Sequence, residues 1–166
     1  MTIRIDPILP EQKPVFIQMM ELYLYDFSEF SEDDINESGY FGYPHIDDYW
    51  KEEGRHPFFI RADGQLAGLV LVRCCCEHHQ MADPHNIAEF FVMKKYRRKG
   101  VGRAAARKVF NLFSGGWEIS CWMKNQPAQK FWSRVVAEHT YGNYHTFTME
   151  DQNVTGFTFV QAAETR

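Results

Sequence analysis

The tightest constraint on the fold lies in Glu89-Phe90-Phe91-Val92-Met93-Lys94-Lys95-Tyr96-Arg97-Arg98-Lys99-Gly100-Val101-Gly102-Arg103. Phe90 to Met93 is a short run of bulky, β-favouring residues suited to a buried strand. Gly100 and Gly102 remove side chains where the backbone must come close to something or take a positive φ. From Val101 the apolar positions Val101, Ala105, Val109, Leu112 and Phe113 follow helical spacing. Such a strand, glycine corner and helix start leave several N–H groups unpaired at the positive end of a helix dipole, and that combination binds phosphate. Arg97, Arg98, Lys99 and Arg103 surround the corner. Between Phe90 and Trp117 there are eight Lys or Arg residues and no Asp or Glu. The stretch calls for an anion.

Several phosphate arrangements compete. A P-loop ends in Gly-Lys-Ser/Thr so that a lysine and a hydroxyl reach phosphate and magnesium; here Arg103 follows Gly102, and that reading fails. Gly100 to Ala105 fits the dinucleotide G-x-G-x-x-A pattern. Yet six residues separate Met93 from Gly100, where that fingerprint turns almost directly from strand to helix. The acidic residue expected on the following strand is also missing, because Ile119 to Lys124 holds no carboxylate. A turn that uses glycines only for its geometry is the plainest alternative.

Arg97-Arg98-Lys99-Gly100-Val101-Gly102 resembles the R/Q-x-x-G-x-G/A signature of the GCN5-related N-acetyltransferase (GNAT) superfamily. Asn125-Gln126-Pro127-Ala128-Gln129-Lys130-Phe131-Trp132 is similar to that family's N-x-x-A-x-x-F-Y segment, at the expected distance downstream. The resemblance spans roughly residues 58 to 136. It implies that Arg97, Arg98, Lys99, Gly100, Val101, Gly102 and Arg103 hold the diphosphate of acetyl-coenzyme A. It also implies that Phe91, Val92 and Met93 bind the pantetheine through their backbone, while Asn125, Ala128 and Phe131 lie along it. The implied fold is α/β (α+β): a mixed, mostly antiparallel central sheet of 6–7 strands with helices on both faces.

The length of 166 residues and 45% apolar content suit one domain with a substantial core. The expected organisation is a single unit over 1–166, with an acidic-aromatic acceptor-side segment at 26–56 and an acetyl-CoA-binding core at 88–136. Thr2 to Asp6 alternates as a first strand. Pro10 and Glu11 open a helix with Val15, Met19, Leu22, Tyr23 and Phe27 on one face. Phe58 to Arg61 and Leu66 to Cys75 flank Asp63-Gly64, a strong hairpin signal. After the glycine corner come a helix ending near Ser114-Gly115-Gly116 and a strand from Trp117 to Trp122. A helix capped by Asn125 follows, then two strands around Asp151-Gln152-Asn153.

Residues 26 to 53 hold ten carboxylates against one cation, Lys51, interleaved with Phe27, Phe30, Tyr40, Phe41, Tyr43, Tyr49 and Trp50. A solvated face explains much of this pattern. The sharper reading is an acceptor wall that attracts a cationic amine. Cys74-Cys75-Cys76 with His78 and His79 invites a metal reading, but adjacent strand side chains point to opposite faces and no distant C-x-x-C pair exists. No metal is expected, and His78, His79 and His85 are assigned to an exposed turn. The absence of an apolar run of eighteen residues and of a secretory leader pattern argues against membrane spanning and export. A reducing cytoplasm is the expected setting. The net charge of −4, with the one basic cluster already matched to phosphate, disfavours nucleic acid.

Amine acetylation needs a base for the amine, polarisation of the thioester and protonation of the thiolate. The resemblance points to Glu89 as the base, acting through water; a carboxylate paired with a neighbouring Arg or His is the plain alternative. The family's acid, a Tyr at the end of the second block, is replaced by Trp132, whose indole is no usable acid. Tyr141 and Tyr144 are the nearby phenols that could substitute. The expected activity is acetyl transfer from acetyl-CoA to a primary amine, cationic or peptide-borne. A non-catalytic CoA-binding module and a nicotinamide-dependent reductase are the alternatives. No stretch marks an interface, which leaves a homodimer open.

Overall fold

The computed structural model describes residues 1–74 and 81–163. Cys75, Cys76, His78 and His79 lie outside the described residues. The chain runs β1 (Ile3–Pro7), α1 (Lys13–Phe27), α2 (Asp48–Lys51), β2 (Arg55–Ala62), β3 (Gln65–Cys74), β4 (His85–Val92), α3 (Val101–Leu112), β5 (Gly115–Trp122), α4 (Gln126–Thr140), β6 (His145–Met149) and β7 (Val154–Gln161). Its seven strands form one sheet in the order β1-β2-β3-β4-β5-β7-β6. Every neighbouring pair is antiparallel except β4 with β5. The mixed, mostly antiparallel sheet with helices on both faces is therefore present.

Local chemistry sets the elements. Asp63 and Gly64 take φ of 48° and 82°, and Ala62 faces Gln65 across the turn. A two-residue loop with both centres left-handed has the twist that a tight hairpin needs. The Asn125 side chain accepts the Ala128 N–H at 3.0 Å, which satisfies one of the orphan amides that open α4. Alternation along β3 sends Leu69 and Leu71 to one face and Val70 and Val72 to the other. Leu69 and Leu71 pack with Phe16, Met19 and Met20 of α1 and Tyr49 of α2. Val70 and Val72 pack with Val101, Ala105, Val109 and Phe110 of α3 and Trp132, Val135 and Val136 of α4. Burying each large side chain of these two layers is worth about 1.5–3 kcal/mol.

Four local expectations are corrected. On α1 the buried residues are Phe16, Met19 and Met20, while Val15 and Leu22 face solvent; the helix is apolar nearly all round, so periodicity alone could not phase it. On α3 the inner face uses Ala106 and Phe110, and Leu112 is exposed. Gly115 and Gly116 do not stop that helix but begin β5. His85 is not in an exposed turn either. It is the first residue of β4, with its ring 4.8 Å from Phe113 and 5.4 Å from Trp117.

The β4–β5 junction matters most for a site. The two parallel strands pair only at His85 with Trp117 and at Asn86 with Glu118. Buried Asn86 pins that apex by donating its amide to the Glu118 carbonyl at 3.0 Å. Beyond it the strands part. On the other side of β4, Leu71 faces Glu89 while Val72 faces Ile87, so Ala88 is an extra residue in the ladder. Such a bulge bends a strand and re-aims its side chains.

Candidate active site

The parted strands open into a cleft of about 1140 Å³. Its floor comes from Ile87 to Val92 of β4 and Ser120 to Trp122 of β5, and its rim from the glycine corner, α4 and the end of α1.

The corner is a concave patch of backbone. Arg98 sits at φ 59° and Gly100 at φ 79°. A left-handed arginine is uncommon and costs about 1–2 kcal/mol, which the surrounding structure must hold in place. Alternating backbone signs of this kind turn successive N–H groups inward as an anion nest. The helix ladder then starts with Ala104 N–H donating to Gly100 at 3.0 Å, and the amides ahead of it project from the helix end. Gly102 is needed for packing as well: a Cβ there would lie 3.2 Å from the Phe131 ring. The corner thus sits against the helix carrying the second sequence block.

Several residues expected to hold the cofactor reach this cleft: Phe91, Val92, Arg97, Arg98, Gly100, Gly102, Arg103, Asn125, Ala128 and Phe131. Lys99, Val101 and Met93 do not line it. Val101 is a core residue, 1% exposed. Met93 donates its N–H to Ala67 at 2.8 Å and accepts from Tyr96 at 2.8 Å, so its backbone is already engaged. Arg97 is engaged too. Its Nη2 and Nη1 donate to the Asp26 carboxylate at 2.5 and 3.3 Å, and its Nε donates to the Val92 carbonyl at 2.7 Å. That guanidinium fastens α1 to the end of β4. Arg103 leans on Glu138 at 3.4 Å, whereas Arg98 stays exposed at the cleft. Lys130 is a cleft residue that the motif does not single out, about one helical turn from Pro127 and Arg134, which also line the cleft from α4.

Glu89 lies half-buried on the cleft wall beside the bulge. The Tyr23 hydroxyl donates to its Oε2 at 2.5 Å. Burial first, and the Glu89 carboxylate second, push the Tyr23 phenol well above its ordinary value. Tyr43, from the loop ahead of α2, also faces Glu89, and the same two causes raise its phenol. That loop is held down by Glu21, whose carboxylate accepts the N–H groups of Phe41 and Gly42 at 2.8 and 2.9 Å. Two tyrosines thus present Glu89 from the α1 side; nothing in the sequence around either one signals that role.

The other candidate phenols lie elsewhere. Tyr141 caps the end of α4 with a left-handed backbone and is 94% exposed. Tyr144 packs against Phe157, ring centroids 5.9 Å apart. Neither lines the cleft. Trp132 is buried against Phe90, 5.0 Å between centroids. Burial pushes the Cys121 thiol up to about 11, so this cleft residue stays protonated. The mouth is aromatic: Phe27 packs against Phe30, Trp122 and Tyr23 at 6.1, 5.0 and 5.6 Å. No cluster of three or more metal-ligating side chains occurs among the described residues.

The fold is shared with acetyltransferases of known structure. An acetyltransferase from Thermus thermophilus superposes with a TM-score of 0.73 at 11% identity, covering 96% of this chain and 97% of that one. The Escherichia coli ribosomal-protein-S18-alanine N-acetyltransferase gives 0.62 at 11% identity over 98% and 96%. A Vibrio cholerae spermidine N-acetyltransferase, solved with CoA and spermine, gives 0.62 at 11% over 96% and 95%. No curated protein sequence matches this chain. The acetyltransferase (GNAT) family model matches residues 17–136, which takes in most of α1, the glycine corner and most of α4, and the chain belongs to that family.

Proposed function

We propose that this protein transfers an acetyl group from acetyl-CoA to a primary amine that arrives as a cation, by direct attack on the thioester. The observation that carries the reading is one cleft that joins the Arg98–Gly102 anion nest, the parted ends of β4 and β5, and the half-buried Glu89. In this reading residues 1–166 work as one domain, with 88–136 holding acetyl-CoA and 26–56 facing the acceptor. A reducing cytoplasm fits the free thiols Cys74 and Cys121.

The residues divide the work by position. Arg98, Gly100, Gly102 and Arg103 bind the diphosphate through amides and charge, with Lys130 on the facing helix. Phe131 and Ala128 flank the pantetheine, and the gap past Asn86 and Glu118 admits the thioester between the strands. Glu89, aimed by Tyr23, takes a proton from the amine directly or through one water. Cys121 keeps its proton at neutral pH, which favours direct attack over an acyl-enzyme on that thiol. Glu29 at the mouth, together with the Phe27, Phe30 and Trp122 rings, suits an ammonium group. The spermine seen in the Vibrio cholerae relative supports that class of acceptor by analogy of fold.

Thermal shift with CoA followed by thiol release from acetyl-CoA across a panel of amines tests the reading. Stabilisation by CoA and thiol release with cationic amines are expected. Buried Trp132 in the usual Tyr slot favours one other possibility, a CoA-binding module without catalysis. That possibility predicts the same thermal shift and no thiol release.

A further inference from the structure

The amine acetylation proposed above leaves its acid unassigned: Trp132 lines the cleft wall as an indole with no acidic proton to give, Tyr141 stands in solvent and Tyr144 lies off the cleft. The phenol that does line the cleft is Tyr23 of α1. Its ring is wedged between Phe27 at 5.6 Å and Phe91 at 5.9 Å. Its hydroxyl is 2.5 Å from Glu89 Oε2. Resting on the acetyl-transfer reading, we propose that Tyr23 is the general acid and that it works in series with Glu89 as a two-residue proton relay.

The ammonium first gives one proton to bulk water; from the neutral amine onward the relay balances without any further reagent. Glu89 accepts one proton from the attacking amine as the C–N bond forms. Tyr23 gives its phenolic proton to the sulfur as the C–S bond breaks. The phenolate then takes the proton from Glu89 across their hydrogen bond, and both residues return to their starting states. Amine and thioester have become amide and thiol.

The electrostatics make the two steps sequential. In the resting site, burial and the Glu89 carboxylate hold the phenol proton tightly. Once Glu89 has taken the amine proton, its negative charge is gone and one of the causes that raised the phenol goes with it. Tyr23 therefore becomes a stronger acid when the thiolate starts to leave, and it idles as a donor to Glu89 otherwise. Placing the acid on α1 also explains how the second block can end in a tryptophan that serves only packing.

Two variants test the relay. Tyr23→Phe keeps the ring and removes the proton. It should lower kcat by about 10²-fold or more, the usual contribution of a positioned acid, while KM for acetyl-CoA stays within about twofold because no diphosphate contact is lost. Replacing Tyr23 with 3,5-difluorotyrosine keeps the geometry and makes the phenol more acidic. The basic limb of the kcat–pH profile should then move to lower pH, a change that a purely positioning role would not produce. Full activity of Tyr23→Phe, or an unmoved basic limb in the fluorinated enzyme, overturns the relay. If Tyr23→Phe does not fold, as judged by its melting curve, the fluorinated variant decides alone. Wild-type turnover separates the two levels: CoA binding with no thiol release for any amine ends the acetyl-transfer reading and the relay together, whereas normal wild-type turnover with either overturning result ends only the relay.

Discussion

Arg97 stands first in the glycine-corner signature, yet its side chain turns away from the anion nest. It chelates Asp26, 71 positions earlier in the chain, and hooks the Val92 carbonyl on the way. Charge-assisted bonds of this type contribute about 1.5–3 kcal/mol when partly shielded. Asp26→Asn should therefore lower stability by about that amount in denaturant melts, while leaving CoA affinity nearly unchanged. Arg98→Ala should do the reverse, weakening CoA with little loss of stability, because Arg98 is exposed beside the nest. Trp132 offers a second test at single-residue level. Restoring the family residue with Trp132→Tyr should not raise kcat, since that ring is 5% exposed and packed on Phe90. The substitution should instead cost about 1–3 kcal/mol through lost ring volume.

Among the elements, the start of β4 carries a pH sensitivity. His85 and His56 share the Phe113 ring, at 4.8 and 4.9 Å, and burial holds both imidazoles below their ordinary value. Between those lowered values and about 6.5, the unfolded chain binds more protons than the folded one. Stability must then rise with pH across that window and fall as acid is added. His56→Gln should flatten the slope of melting temperature against pH below about 6.5 and leave it unaltered above. The same elements show what the sequence makes legible. Asp63-Gly64, Gly100 and the Asn125 cap are local signals, and each produces the turn or helix start expected of it. The Tyr23–Glu89 bond and the Arg97–Asp26 clasp join residues 66 and 71 apart. No local pattern encodes such pairs, because a half-polar position on α1 reads the same whether it meets water or a carboxylate. The parting of β4 from β5 is hidden for the same reason, since it depends on register rather than composition.

For the whole molecule, the cleft draws its charge from separate elements. Arg98, Arg103, Lys130 and Arg134 of the corner, α3 and α4 line it, and Asp26 and Glu29 line it at the end of α1. Four of the ten carboxylates in residues 26–53 are already answered: Asp47 by Lys13 and Lys51, Asp48 by His45 and Arg55, Glu52 by Arg55, and Asp26 by Arg97 and Lys94. Asp33 and Asp34 are exposed and do not line the cleft, whereas Glu29 does. The attraction felt by a cationic amine should therefore come mainly from Glu29 at the mouth and Glu89 within. Glu29→Gln is expected to raise KM for a cationic amine severalfold, in keeping with about 1 kcal/mol for a partly screened ion pair. Neutralising Asp33 and Asp34 together should change it far less at physiological salt, where charges beyond a Debye length of about 8 Å are screened. Steady-state kinetics on the two variants with one diamine and one neutral-bodied monoamine would read this out. Equal KM changes in both would return the acceptor field to the loop as a whole, and no change for Glu29→Gln would remove the cationic-acceptor proposal.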